Sequence, residues 1–129
     1  MPMFSNQFVT AECLAVDDDP LVLKLAEAAC RKLNVRFNRA GDVHAMIEAF
    51  KESRFDLLLL DNDIAGVRGH EVLDYIEPFM TPNLRIIVYS SEVLPQDQAA
   101  YKRFKVQDIL TKPVTIDKLS FAMRRALKL

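Results

Sequence analysis

The sequence predicts an α/β fold: a single five-stranded parallel sheet flanked by five helices. Three observations carry this. Short apolar runs alternate with amphipathic stretches along nearly the whole chain. The run Leu57-Leu58-Leu59-Leu60 has no apolar–polar alternation, as befits a strand covered on both faces. Helix-start and helix-stop residues fall between the runs, at Asp19-Pro20, Gly41-Asp42, Pro78, Pro82 and Thr115.

Each element follows from local chemistry. Cys13-Leu14-Ala15-Val16 reads as the first strand and stops at Asp17-Asp18-Asp19. Asp19 is placed to cap a helix that begins with Pro20, and Leu21, Leu25, Ala28, Ala29 and Leu33 recur at helical spacing. Val35 to Ala40 is the second strand, made polar by Arg36, Asn38 and Arg39. Asp42 caps a second helix with Ala45, Met46, Ala49 and Phe50 on one face. After the leucine strand, Gly66 and Gly69 fall in a turn, and a helix runs from about His70 to Glu77. Ile86-Ile87-Val88-Tyr89 is the fourth strand, Pro95 to Phe104 a helix, and Asp108-Ile109-Leu110 the fifth strand, broken by Pro113. Thr115 caps a last helix lined by Ile116, Leu119, Ala122, Met123 and Ala126.

Composition bounds the function. The 129 residues make one domain, read as a short leader over 1–11 and a folded unit over 12–129. With 17 basic and 18 acidic side chains the net charge is −1, which argues against direct nucleic-acid or membrane binding. No apolar run is long enough to span a bilayer, and the N-terminus lacks the pattern of a secretory signal. Cys13 and Cys30 form neither a disulfide framework nor a zinc spacing, so a reducing cytoplasmic location is expected. His44 and His70 read as helix-surface or partly buried residues, not as ligands or bases.

Ligands of parallel α/β sheets bind outside the carboxyl ends of the strands. Here those ends carry Asp17-Asp18-Asp19, Asp61-Asn62-Asp63, Ser90-Ser91 and Thr111-Lys112-Pro113. Asp17, Asp18 and Asp61 together carry −3, and a divalent cation with Lys112 supplies +3. Magnesium suits such an oxygen site. A carboxylate in that setting can attack phosphorus and become an aspartyl phosphate, with Lys112 and the Ser90 hydroxyl left to hold the phosphoryl oxygens.

The stretches AVDDDP, FDLLLLDNDIAGVRG, RIIVYSS and DILTKP resemble the receiver domain of two-component response regulators, over about residues 12 to 128. The resemblance implies a flavodoxin-like sheet of order 2-1-3-4-5. It makes Asp17 and Asp18 the metal-binding acidic pair, Asp61 the phosphoacceptor, and Asp63 the donor of a backbone carbonyl to Mg²⁺. Ser90 becomes the switch hydroxyl and Lys112 the conserved-type lysine. Asp63 and Glu92 occupy the two positions that tune dephosphorylation. The chain departs from the family at Ile64-Ala65-Gly66, in lacking a glycine before the fifth strand, and above all at Ile109, where a Tyr or Phe switch is usual. Tyr89 is the aromatic beside Ser90, but strand neighbours point to opposite faces.

The implied partners are a histidine kinase or a histidine phosphotransfer protein, with a downstream protein target that the sequence does not identify. The implied output is a shift of the face made by the fourth helix, fifth strand and fifth helix. Arg124-Arg125 with Lys128 reads as a solvated helix end favoured by the helix dipole, with a homodimer face as the alternative. The protein is expected to be a regulator and not an enzyme, acting alone or as part of a longer regulator. Two other readings compete: a degenerate receiver that binds partners without phosphorylation, and a haloacid-dehalogenase-like phosphatase built on Asp61-x-Asp63.

Overall fold

A computed structural model describes residues 10–129. The leader expected over 1–11, with Phe4 and Phe8, lies outside the described residues except for its last two. The elements run β1 (Glu12–Val16), α1 (Pro20–Lys32), β2 (Arg36–Ala40), α2 (Val43–Glu52) and β3 (Leu57–Asp61). There follow β4 (Asp63–Ile64), β5 (Val67–Arg68), α3 (Gly69–Ile76), β6 (Arg85–Ser90), α4 (Pro95–Arg103), β7 (Asp108–Thr111) and α5 (Ile116–Leu127).

The main sheet has the order β2-β1-β3-β6-β7, and every pairing in it is parallel. Counted without the two-residue strands, this is the expected order 2-1-3-4-5. Those two strands, β4 and β5, form an antiparallel hairpin in what the sequence reads as a plain turn. Its turn places Ala65 at φ 51° and Gly66 at φ 86°, the left-handed region that favours glycine. Gly69 is not in that turn. It is the first, buried residue of α3, where a Cβ would run into the Tyr101 hydroxyl and come within 2.9 Å of Asn62 Oδ1. After α3 the chain tightens into a 3₁₀ turn, Glu77–Phe79, around Pro78.

The helix starts follow the sequence. Asp19 accepts the Leu21 amide at 2.9 Å, Asp42 that of Ala45 at 2.7 Å, and Thr115 that of Lys118 at 3.1 Å. The pleat separates two cores. Cys13, Ala15, Leu57, Leu59, Ile87 and Tyr89 face α1 and α5. Leu14, Val16, Leu58, Leu60, Ile86 and Val88 face α2, α3 and α4. All five residues of β3 are buried, so this central strand is fixed from both sides. Each buried leucine there is worth about 1.5–3 kcal/mol. Both cysteines are free and buried.

Candidate functional site

The carboxyl ends of β1 and β3 lie side by side because Val16 pairs with Leu60 in register. Asp17 follows the end of β1 and Asp61 is the last residue of β3. With Asp18 they bring three carboxylate oxygens within 4.8 Å of one another. Asp17 and Asp61 are buried, at 1% and 3% exposure, whereas Asp18 is open to solvent.

The acids are held from several sides. The Asp19 amide donates to Asp17 Oδ1 at 2.8 Å, and the Ala65 amide donates to Asp18 at 3.1 Å. The Lys112 ammonium lies 2.9 Å from Asp61 Oδ1, and the Asp63 amide donates to the same oxygen at 3.2 Å. Among the described residues no hydrogen bond falls on Asp61 Oδ2, which leaves it as the free oxygen. Lys112 reaches the site from the end of β7, just before a cis peptide bond to Pro113.

Charge is unbalanced in this arrangement. Three carboxylates and one ammonium leave −2 in a confined space. Burial raises the Asp17 pKa to about 6, and the neighbouring Asp61 charge adds to this against the opposing Asp19 amide bond. Asp17 Oδ2 is buried and has no hydrogen-bond partner. A buried, orphaned carboxylate oxygen beside two further carboxylates fits a hard divalent cation.

The remaining predicted residues are placed differently. Ser90 ends β6, but its hydroxyl is engaged locally: it donates to the Glu92 carbonyl and accepts from the Glu92 amide at 3.0 Å. The Asp63 carboxylate accepts the Gly66 amide at 3.0 Å and is not one of the three clustered acids. Glu92 is exposed, and Ile109 lies in β7 with 39% exposure.

Sequence reasoning put Tyr89 on the face opposite Ser90, which holds, but missed its place beside the acids and missed a second feature altogether. Tyr89 is fully buried on the α1/α5 side, with the Lys112 ammonium 5.9 Å from its ring centre. Burial, with the charges of Asp17 and Asp61, holds its phenol well above the usual range. The second feature is a buried carboxylate, Asp97, paired with Arg68 and His70. His70 is partly buried as expected, yet its partner lies 27 residues away in sequence. Only the fold brings them together.

A family model of the response regulator receiver domain matches residues 13–124. The chain belongs to the receiver-domain family. Receivers are a regulatory family, and this membership displaces the haloacid-dehalogenase-like reading. Among curated relatives, the transcription factor SKN7 of Chaetomium thermophilum is 28% identical over 116 residues, covering 88% of this chain and 15% of that protein. The probable transcriptional regulatory protein TcrX of Mycobacterium tuberculosis is 26% identical, covering 89% of this chain and 49% of that protein. The sensor protein GacS of Pseudomonas syringae is 23% identical and matched over 12% of its length. The receiver thus spans half or less of each of these relatives. Solved structures share the fold. A CheY-like receiver from Methanospirillum hungatei superposes with TM-score 0.82 at 17% identity, covering 93% of this chain and 95% of that one. The chemotaxis protein CheY4 of Vibrio cholerae gives 0.80 at 20% identity, covering 92% and 100%. No helix among the described residues is long and apolar enough to cross a membrane.

Proposed function

We propose that this receiver accepts a phosphoryl group on Asp61 and relays its presence to a protein partner. The observation that carries the proposal is the state of the Asp61 carboxylate. It is buried, with Oδ1 held by Lys112 and the Asp63 amide and Oδ2 free to attack. The donor is a phosphohistidine on a histidine kinase or phosphotransfer protein. Oδ2 attacks phosphorus in line, the P–N bond breaks, and the imidazole leaves with its electron pair. Asp17, Asp18 and Asp61, with the Asp63 backbone carbonyl, would hold Mg²⁺. The ion supplies neutralisation of the phosphoryl oxygens when bound. Lys112, already on Asp61, stays to pair with one phosphoryl oxygen. Ser90 gives up its bond to the Glu92 carbonyl and donates to another.

The acceptor then exchanges one negative charge for about two. The signal is a shift of the face formed by α4, β7 and α5. Hydrolysis ends it: water attacks phosphorus, the aspartyl oxygen leaves, and inorganic phosphate departs. Asp63 and Glu92 set the rate of that step through their charges near the incoming water. The double change Asp63→Asn with Glu92→Gln should alter the dephosphorylation rate, and an unchanged rate removes the pair from this role.

The test of the whole reading is incubation with Mg²⁺ and acetyl phosphate, followed by intact mass. A phosphoryl adduct that is absent in Asp61→Asn supports phosphoacceptance. A folded wild-type protein with no adduct, and no Mg²⁺-dependent response to beryllofluoride, favours the phosphorylation-independent binding module.

A further inference from the structure

Asp97 lies in the first turn of α4 and is completely buried. Four donors from four places converge on its carboxylate. The Leu94 amide donates at 3.1 Å, His70 Nδ1 lies at 2.7 Å, Asn62 Nδ2 donates at 3.4 Å, and Arg68 donates through Nη2. These donors come from the loop before α4, from α3, from the residue after β3, and from β5. An ionised carboxylate only accepts, so His70 must carry its proton on Nδ1.

Asn62 directly follows Asp61, and its amide group faces two acceptors. Nδ2 lies 3.4 Å from Asp97 and 3.3 Å from the Glu92 carbonyl. Both distances are at the long end for such bonds, so the carboxamide sits between two partners and is optimal for neither. The Glu92 carbonyl is the same atom that accepts from the Ser90 hydroxyl. Three further buried polar atoms of these side chains and their neighbour have no partner: Asn62 Oδ1, Arg68 Nε and the Tyr101 hydroxyl. Unspent hydrogen-bonding capacity at this density makes a second arrangement of the cluster accessible.

We propose that Asn62 and Asp97 are positioning residues of a polar relay that carries the state of Asp61 to the first turn of α4, by way of Ser90 and the Glu92 carbonyl, in place of an aromatic ring at position 109. The relay rests on Asp61 being the phosphoacceptor. When the Ser90 hydroxyl turns to a phosphoryl oxygen, the Glu92 carbonyl loses that donor. Asn62 then shifts from Asp97 toward that carbonyl. Asp97 keeps Arg68, His70 and the Leu94 amide, and the turn it anchors resettles. Ile109 has no polar group and no ring with which to do this.

The test pairs two readouts on the full chain: adduct formation with acetyl phosphate by intact mass, and backbone amide shifts of residues 94–98 on adding Mg²⁺ and beryllofluoride. Asp97→Asn is the obvious variant, but it leaves Arg68 and His70 without their charge partner and can compromise folding. Asn62→Ala keeps that ion-pair cluster whole and cuts only the link to it. The expected result is that Asn62→Ala still forms the adduct but loses the shift response at residues 94–98, while Ile109→Ala keeps both. An undiminished response in Asn62→Ala, or its loss in Ile109→Ala, overturns the relay and leaves phosphoacceptance standing. A folded wild-type protein with neither an adduct nor a Mg²⁺-dependent response to beryllofluoride overturns both.

Discussion

Replacing Asp17 by asparagine separates the role of this residue in folding from its role in binding a cation. Two unit charges 4.8 Å apart repel by about 3–4 kcal/mol at an effective dielectric of 20. The rise of the Asp17 pKa from 3.8 to about 6 gives a cost of about 3 kcal/mol. Burial is the largest cause of that rise and the Asp61 charge adds to it, while the Asp19 amide and Lys112 oppose it, so the net relief is set at about 1–2 kcal/mol. An asparagine keeps the oxygen that accepts the Asp19 amide, and it puts an N–H₂ donor where Oδ2 is now orphaned. In metal-free buffer at about pH 7.5 the variant should therefore be more stable, by about 3–8 °C in Tm. Added MgCl₂ should raise the Tm of the wild type and leave the variant nearly unmoved, because a ligand stabilises only the state it binds. The pH dependence has a definite sign. A folded pKa above the unfolded one means that the folded state binds more protons between 3.8 and about 6. The metal-free wild type should thus gain stability from this group as pH falls through that window, and the asparagine variant should not. Thermal unfolding followed by circular dichroism reads all three effects. A lower Tm for Asp17→Asn without metal, or a wild type indifferent to Mg²⁺, would refute the electrostatic argument.

Lys112→Ala removes the ammonium from Asp61 and should slow adduct formation from acetyl phosphate by about 10²-fold, read as a mass-spectrometric time course. An unchanged rate would mean that the lysine does not hold the transferred group. Gly69→Ala places a methyl against the Tyr101 hydroxyl and Asn62 Oδ1 and should cost about 1–3 kcal/mol in urea unfolding. Equal stability would show that the cluster gives way freely. For Asp97, burial pushes the pKa up, but the bonds from His70, Arg68, the Leu94 amide and Asn62 outweigh it and hold the value below the usual range. A depressed folded pKa gives stability that is present above about pH 4 and lost as pH falls through the folded value. Acid unfolding should accordingly show a limb in that region that Asp97→Asn lacks, and an identical acid limb in both proteins would contradict the pairing.

Most of the fold is legible in the sequence because its signals are local. Asp19, Asp42 and Thr115 cap the helices whose starts they mark. The unbroken leucines of β3 become the one strand among the described residues that is buried at every position. The β4–β5 hairpin escapes because strands of two residues carry no periodicity to read. The acid cluster is legible because all of its members stand at strand ends, where chain order alone places them on one edge. The Asp97 cluster is illegible for the opposite reason. His70 reads as a helix-surface or partly buried residue, Arg68 and Asp97 carry no motif of their own, and a buried charge is evident only once its partners are in space around it. Gly69 gave no clue to it, because a glycine between Arg68 and His70 reads as part of the turn; only the fold shows it opening α3 against Tyr101 and Asn62.

The pleat of the sheet gives this site a division of labour. Ala15 and Leu59 face α1 and α5, and two residues further on along the same faces stand Asp17 and Asp61. Leu110 faces the same way, and two residues on stands Lys112, paired with Asp61. Val88 faces α2, α3 and α4, and two residues on stands Ser90. Asp17, Asp61 and Lys112 thus project from one face, and the Ser90 hydroxyl projects from the other. Asn62 lies one residue beyond Asp61, and its carboxamide reaches Asp97 on the Ser90 side. A shift of one residue in the register of β3 would exchange these roles, setting the acceptor against α4 and the carboxamide against Lys112. Four leucines in a row look alike from either face, so the slip is opposed by the acids that flank them: Asp56, which accepts the Glu12 amide at 2.8 Å, and Asp61, paired with Lys112. The register of β3 therefore decides which side of the sheet faces Lys112 and which side faces α4.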